Sequence, residues 1–217
     1  MLDHKTIFQA FCDTASKNPD GPFLMAPSKN DSAIKTYTFK SVLKKINSLS
    51  NLFAEKGYVS NMRIATLLGS SPEHYILKLA LNKIGVSVVP INPDYTSDEA
   101  SYLLEDSGAI LVICGEPYVD QMTKAIAHKN LNLPLAVFDD LSSLPAVDST
   151  GKTEYPVLPE TEASLLYTSG TTGRPKGCIL SQNYELMCGE VYSQIGSPVG
   201  LSFGKDRILN PLPSYHI

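Results

Sequence analysis

Four short apolar runs constrain this chain more than any other feature: "RIATLL" (63–68), "VSVVPI" (86–91), "AILVIC" (109–114) and "LPLAVF" (133–138). Each is apolar nearly throughout, as a strand covered on both faces must be. The stretches between them read as helices with recognisable ends. Ser71 and Pro72 read as a cap and a first helical residue, and Ile76, Leu79, Ala80 and Ile84 form an apolar stripe closed by Gly85. Thr96 with Glu99 resembles a capping box, and Gly108 is placed to terminate that helix. Strand and helix in alternation imply parallel strands joined by right-handed crossovers. The expected class is α/β, a mainly parallel sheet with flanking helices.

Upstream, "IKTYTFKSVLKKINSLSNLFAEKGY" reads as a strand followed by an amphipathic helix, with Val42, Ile46, Leu49 and Phe53 on one face and Gly57 after its last turn. Segment 139–162, rich in Pro, Ser, Thr and acidic residues, reads as a surface connection because strand patterning resumes at Leu165. The net charge of −4 argues against a general nucleic-acid grip, and no apolar run is long enough to predict a membrane span. Near the start, Asp3, Lys5, Asp13 and Lys17 leave no room for a secretory apolar segment. Cys12, Cys114, Cys178 and Cys188 form no C-x-x-C pair and are read as buried or free thiols of a reducing compartment. A cytoplasmic protein is expected.

The segment "LLYTSGTTGRPKGCILS" (165–181) stands apart. "SLLY" reads as a strand and Ser181 as the cap of a helix from Gln182, which places a Gly/Thr-rich loop between strand and helix. Gly170, Gly173 and Gly177 permit sharp turning and close approach of backbone N–H groups to a ligand. Thr168, Ser169, Thr171 and Thr172 add hydroxyls, and Lys176 adds a movable cation. Hydroxyl and N–H donors beside positive charge suit phosphate oxygens, so the loop is read as a polyphosphate cradle. Composition alone also leaves a purely structural turn open. The P-loop pattern fails because Pro175 stands where its second Gly belongs, and the G-x-G-x-x-G pattern fails on the spacing of Gly170 and Gly173.

The string "YTSGTTGRPKG" is similar to the signature of the adenylate-forming, AMP-binding superfamily of acyl-CoA synthetases, luciferases and nonribosomal adenylation domains. "TYTFKSVLKKINSLSNLFAEKG", "LNKIGVSVVPINPDYTSDEASYLLEDSGAILVI" and "ILNPLPSYHI" resemble further blocks of that family. The resemblance covers essentially all 217 residues, as the N-terminal part of the large domain. It implies an ATP-dependent acid–thiol ligase. A carboxylate attacks the α-phosphate of ATP with loss of pyrophosphate, and a thiol, usually coenzyme A, then displaces AMP.

By matching positions, Ser169, Gly170, Thr171, Thr172 and Gly173 would wrap the β- and γ-phosphates, and Lys176 would pair with them as a point charge. Thr168 would direct its hydroxyl toward the Mg2+–phosphate unit, and His216 would border the acyl pocket and orient the carboxylate. Pro175 would shape the turn; Arg174 is either solvated or part of the cradle, and Tyr215 either lines the acyl site or packs. His4, His74 and His128 receive no role. Relatives often carry His where this chain has Gln182, and "GCILSQNY" faintly resembles the carnitine- and crotonobetaine-CoA ligase branch. The "INPDYTSDEASYLLEDSGA" block leans toward acyl-CoA ligases over amino-acid activators; a non-catalytic nucleotide-binding scaffold is the other alternative.

The family's Tyr-Gly-x-Thr-Glu motif, ribose-binding Asp and late catalytic Lys do not occur before Ile217. The 217-residue chain alone is therefore expected not to make acyl-adenylate, and to expose strand edges and apolar surface that favour self-association.

Overall fold

The computed structural model describes residues 5–28, 33–150, 156–168, 173–196, 200–202, 204, 206–210 and 213. Helix α1 (Ile7–Lys17) precedes strands β1 (Pro22–Pro27) and β2 (Ile34–Thr38) and helix α2 (Phe39–Glu55). Then follow β3 (Arg63–Leu67), α3 (Pro72–Lys83), β4 (Ser87–Pro90), α4 (Ser97–Asp106), β5 (Leu111–Cys114), α5 (Val119–His128) and β6 (Leu135–Val137). Beyond the long connection come β7 (Glu162–Thr168), β8 (Lys176–Ser181) and α6 (Gln182–Gln194). β1 and β2 pair antiparallel as a small separate sheet. The main sheet has the order β6-β5-β3-β4-β7-β8, parallel throughout except for the antiparallel β7–β8 pair. The α/β class with a mainly parallel sheet is thus what forms.

Alternation along the strands builds two cores. Ala65, Leu67, Val89, Val112, Cys114, Leu165 and Tyr167 pack on one face with Ala100, Leu103 and Leu104 of α4 and Met122 and Ala125 of α5. Ile64, Val88, Leu111, Ile113 and Ala136 pack on the other with Phe53 of α2 and Leu77 and Leu81 of α3. Helix α3 buries a second flank, Ile76, Leu79 and Ala80, against α1, α2 and the small sheet. Burial of α3 on two flanks thus goes beyond the single stripe of Ile76, Leu79, Ala80 and Ile84 read from the sequence.

The helix ends follow their local signals. Ser71 accepts a hydrogen bond from the His74 backbone N–H, and Thr96 and Glu99 close a reciprocal capping box. Gly57, Gly85 and Gly108 follow α2, α3 and α4 at φ of +87°, +75° and +64°, the left-handed conformation that glycine adopts most cheaply.

Of the segment 139–162, residues 139–150 are tied down at several points, and the strand expected to resume at Leu165 already begins at Glu162. Leu144 is buried in the second core, the Tyr58 hydroxyl donates to the Pro145 carbonyl at 3.1 Å, and the Val147 N–H donates to the Lys56 carbonyl at 2.7 Å. Burial pushes the Tyr58 phenol up to about 12. All four cysteines are free; burial raises the Cys114 thiol to about 11, while Cys178 and Cys188 are exposed. Among the described residues no helix is long and apolar enough to cross a membrane.

Candidate functional site

Strand β7 runs parallel to β4 with Ser164 opposite Val88, so Tyr167 and Thr168 extend past Pro90, the last residue of β4. They project from the carboxyl edge of the sheet, the edge where open α/β folds bind ligands. The chain then returns as β8, with Thr168 opposite Lys176, Tyr167 opposite Gly177 and Leu166 opposite Cys178. The loop therefore closes a β-hairpin, which corrects the strand-to-helix placement expected from the sequence. The correction has a physical reason: β7 would otherwise present an unpaired row of N–H and C=O groups, and "KGCILS" supplies their partners. Ser181 does cap the helix that follows, accepting from the Tyr184 N–H at 3.2 Å, but one strand later than expected.

Of the residues expected to hold phosphate, Thr168, Gly173 and Lys176 are placed; Ser169, Gly170, Thr171, Thr172 and His216, together with Tyr215, lie outside the described residues. Thr168 and Lys176 are cross-strand partners, so hydroxyl and ammonium leave the mouth of the hairpin on the same face. Both are exposed, and neither side chain has a partner among the described residues. Gly173 has φ +103° with open space around it, consistent with a turning role. Gly177 is glycine for a different reason. A Cβ there would stand 2.9 Å from Leu165 Cδ1 and 3.3 Å from Tyr167 Cζ, because the Tyr167 ring lies across it.

Side chains outside the motif hold the base of the hairpin. The Tyr167 hydroxyl donates to Asp106 Oδ2 at 2.6 Å, and burial, then this bond, pushes the phenol far above its ordinary range. Tyr102, one turn earlier on α4, has its hydroxyl 3.4 Å from both Asp106 Oδ1 and the Pro175 carbonyl. The Arg174 guanidinium stacks 5.0 Å from the centre of the Tyr102 ring, which settles it against α4 although it remains exposed. At the opposite end of β7, Arg63 makes a two-point pair with Glu162, at 2.7 Å on each arm, and donates to the Ser107 carbonyl. The Ser87 hydroxyl completes the Glu162 shell at 2.7 Å.

A polar seam fixes α6 to the body. Gln182 is fully buried; its Oε1 accepts from the Ile7 N–H at 3.0 Å and its Nε2 donates to the Asn82 carbonyl at 3.2 Å. The position needs a donor and an acceptor at once without net charge, which a glutamine amide provides. Glu185 accepts from Lys78 Nζ at 2.9 Å and from the Ser164 hydroxyl at 2.7 Å, and Lys78 also reaches Ser164 Oγ. His74, on the same face of α3 as Lys78, is buried; desolvation, with Lys78 adding to it, lowers its pKa to about 4 and keeps the ring neutral. Nothing in the sequence announces these contacts, since Tyr167 and Asp106 are 61 positions apart and Arg63 and Glu162 are 99 apart.

Among the described residues no cluster of three or more His, Cys, Asp or Glu could hold a metal ion. Among the described residues the exposed Thr168 hydroxyl is an oxygen that could reach a metal carried in on phosphate oxygens, the usual way Mg2+ is bound beside a nucleotide, whereas the Lys176 ammonium could pair only with the phosphate itself. The arrangement can do one thing well: place a hydroxyl and a cation together against a polyanion.

The chain is 30% identical over 210 residues to the sulfoacetate–CoA ligase of Cupriavidus necator, covering 94% of this chain and 39% of that protein. It is 30% identical over 188 residues to tyrocidine synthase 3 of Brevibacillus parabrevis, covering 85% of this chain and 3% of that one. Among solved structures, the N-terminal domain of FACL13 from Mycobacterium tuberculosis superposes with a TM-score of 0.77 at 25% identity, over 98% of this chain and 52% of that chain. The o-succinylbenzoate CoA synthetase of Bacillus subtilis, solved with its acyl-adenylate intermediate, gives 0.74 at 22% identity over 98% and 51%. This chain thus spans about half or less of the length of these relatives. The profile of the AMP-binding enzymes matches residues 11–217, from the middle of α1 onward, and the chain belongs to that adenylate-forming family.

Proposed function

We propose that this chain is the polyphosphate-binding front part of an ATP-dependent carboxylate–CoA ligase. The observation that carries the reading is the pairing of Thr168 with Lys176 at the mouth of the hairpin, both side chains exposed and without a partner among the described residues. In the reaction a carboxylate oxygen attacks the α-phosphorus of ATP, and the bond from that phosphorus to the bridging oxygen breaks to release pyrophosphate. The thiol of coenzyme A then displaces AMP from the acyl carbon. The obstacle is charge, because one anion must approach another.

Lys176 offsets charge on the β- and γ-oxygens, and it stays poised because no carboxylate among the described residues claims it. Thr168 donates its hydroxyl to the same group, and Ser169, Gly170, Thr171, Thr172 and Gly173 close around the phosphates. Mg2+, when bound on those phosphates, neutralises further charge next to Thr168. His216 orients the carboxylate.

A second reading has an observation of its own. Tyrocidine and bacitracin synthases match at 28–30% identity, which supports an amino-acid substrate activated by the same first half-reaction. The test is carboxylate-dependent ATP–pyrophosphate exchange by the gene product carrying this sequence, across acyl acids and amino acids, followed by product analysis with coenzyme A. Exchange with acyl acids and formation of a thioester support the ligase. Exchange with amino acids and no thioester to coenzyme A would replace it by the second reading.

A further inference from the structure

We propose that Asp106 is a positioning residue for Thr168 and Lys176 at the hairpin mouth, acting through Tyr167 and Tyr102; this rests on the function proposed above. The mouth is fixed on both limbs. Tyr167 immediately precedes Thr168, and Pro175 immediately precedes Lys176, so the two functional side chains each follow a residue that helix α4 touches.

On the outgoing limb, the bond from the Tyr167 hydroxyl to the Asp106 carboxylate is 2.6 Å, the short length of a charge-assisted bond. The ring between backbone and hydroxyl lies across Gly177 of the opposite strand, so one anchored side chain spans both arms of the hairpin. On the returning limb, the contact from the Tyr102 hydroxyl to the Pro175 carbonyl is long at 3.4 Å and weak alone, but Arg174 stacks on the same ring. Asp106 and Tyr102 are i and i−4 on one helix, so a single rigid element sets the separation of the two limbs. Glu105 and Asp106 are neighbours, and Lys129, paired to Glu105 at 2.6 Å, also lies 5.6 Å from the Tyr102 ring.

The physical consequence is preorganisation. Two limbs that must be brought into register when a ligand arrives lose conformational freedom at that moment. Holding Tyr167 and Pro175 on one helix beforehand removes part of that loss and keeps Thr168 and Lys176 at a fixed spacing. Asp106 touches neither substrate nor reacting atom; its effect passes through the tyrosines.

The test uses two readouts on the gene product carrying this sequence: amide hydrogen exchange across 173–178, and calorimetric affinity for magnesium tripolyphosphate and for AMP. Asp106→Ala and Tyr167→Phe are expected to speed exchange at the hairpin mouth. They should weaken tripolyphosphate binding about tenfold, with AMP affinity unchanged and the double variant no worse than the worse single. Asp106→Glu should recover part of the affinity. Unchanged exchange in the folded variants overturns the clamp. Faster exchange with unchanged tripolyphosphate affinity overturns the positioning role and leaves a structural one. If Lys176→Ala also binds tripolyphosphate as the unmodified protein does, the proposed phosphate site itself is wrong and the positioning role falls with it.

Discussion

The central strands and the β7–β8 hairpin belong to one sheet and are built on opposite rules. β3, β4 and β5 are covered on both faces, and from Ile64 to Leu67 and from Leu111 to Cys114 every residue is buried. β8 is exposed along Lys176–Ile179, and α6 after it exposes Tyr184, Met187, Val191 and Tyr192, with Ile195 at its C-cap. The centre is held by apolar packing, which needs no particular partner beyond volume. β7 shares that packing through Leu165 and Tyr167, but its two ends and α6 beyond β8 are also fixed by named polar bonds: Tyr167 to Asp106, Glu162 to Arg63, Glu185 to Lys78 and Gln182 to Asn82. Packing fixes where the sheet is, and directional bonds fix where the loop emerges from it.

The sharpest way to break this contrast is to remove equal volume from each region. Ile113 is fully buried and Ile179 is 60% exposed. Ile113→Ala should cost about 3–4 kcal/mol in denaturant unfolding, and Ile179→Ala less than about 0.5 kcal/mol. Similar losses at both positions would mean that the hairpin is packed as a core strand is.

The polar seam should carry a pH dependence that the apolar centre lacks. His74 titrates near 4 in the folded chain and near 6.5 when unfolded, so protons bind the unfolded state first. Stability is therefore full above about pH 6.5 and falls as the pH drops toward 4, by up to about 3 kcal/mol from this one residue. Urea midpoints from pH 7 to 4.5 should fall with that slope, and His74→Phe should flatten it. An unchanged slope in the variant would place the acid sensitivity elsewhere.

A smaller effect sharpens the account of the hairpin. Gly177→Ala should cost about 1–2 kcal/mol, because a methyl group there must displace Leu165 or the Tyr167 ring. Tyr167→Leu in the same chain should recover part of that loss. Self-association is the mildest expectation, driven by the exposed apolar residues of α6 and weakened by placing a charge among them with Val191→Lys; a monodisperse monomer in size-exclusion chromatography would count against it.

How far the sequence could be read follows the same division. The strands from Arg63 to Val137 are legible as apolar runs because burial on both faces leaves few polar residues, Thr66 and Ser87 among them, to interrupt them. Caps at Ser71, Thr96 and Ser181 are legible because their signals are local. β8 is not, since Lys176, Gly177 and Cys178 carry no strand period and become a strand by completing the open edge of β7. Gln182 stands out in the sequence only through the family resemblance, and its role depends on Ile7 and Asn82, which sequence spacing cannot bring together. The loop is identifiable by its resemblance, whereas Asp106 and Tyr102, which brace it, are ordinary helix residues until the fold places them.

The central claim is that the hairpin mouth at Thr168 and Lys176 receives the triphosphate tail of a nucleotide. The most direct measurement is a crystal structure of the gene product carrying this sequence with MgATP or a non-hydrolysable analogue. The account predicts β- and γ-phosphate oxygens within hydrogen-bonding distance of the Lys176 ammonium and the Thr168 hydroxyl. A triphosphate bound away from this hairpin, with both side chains still facing solvent, would contradict it.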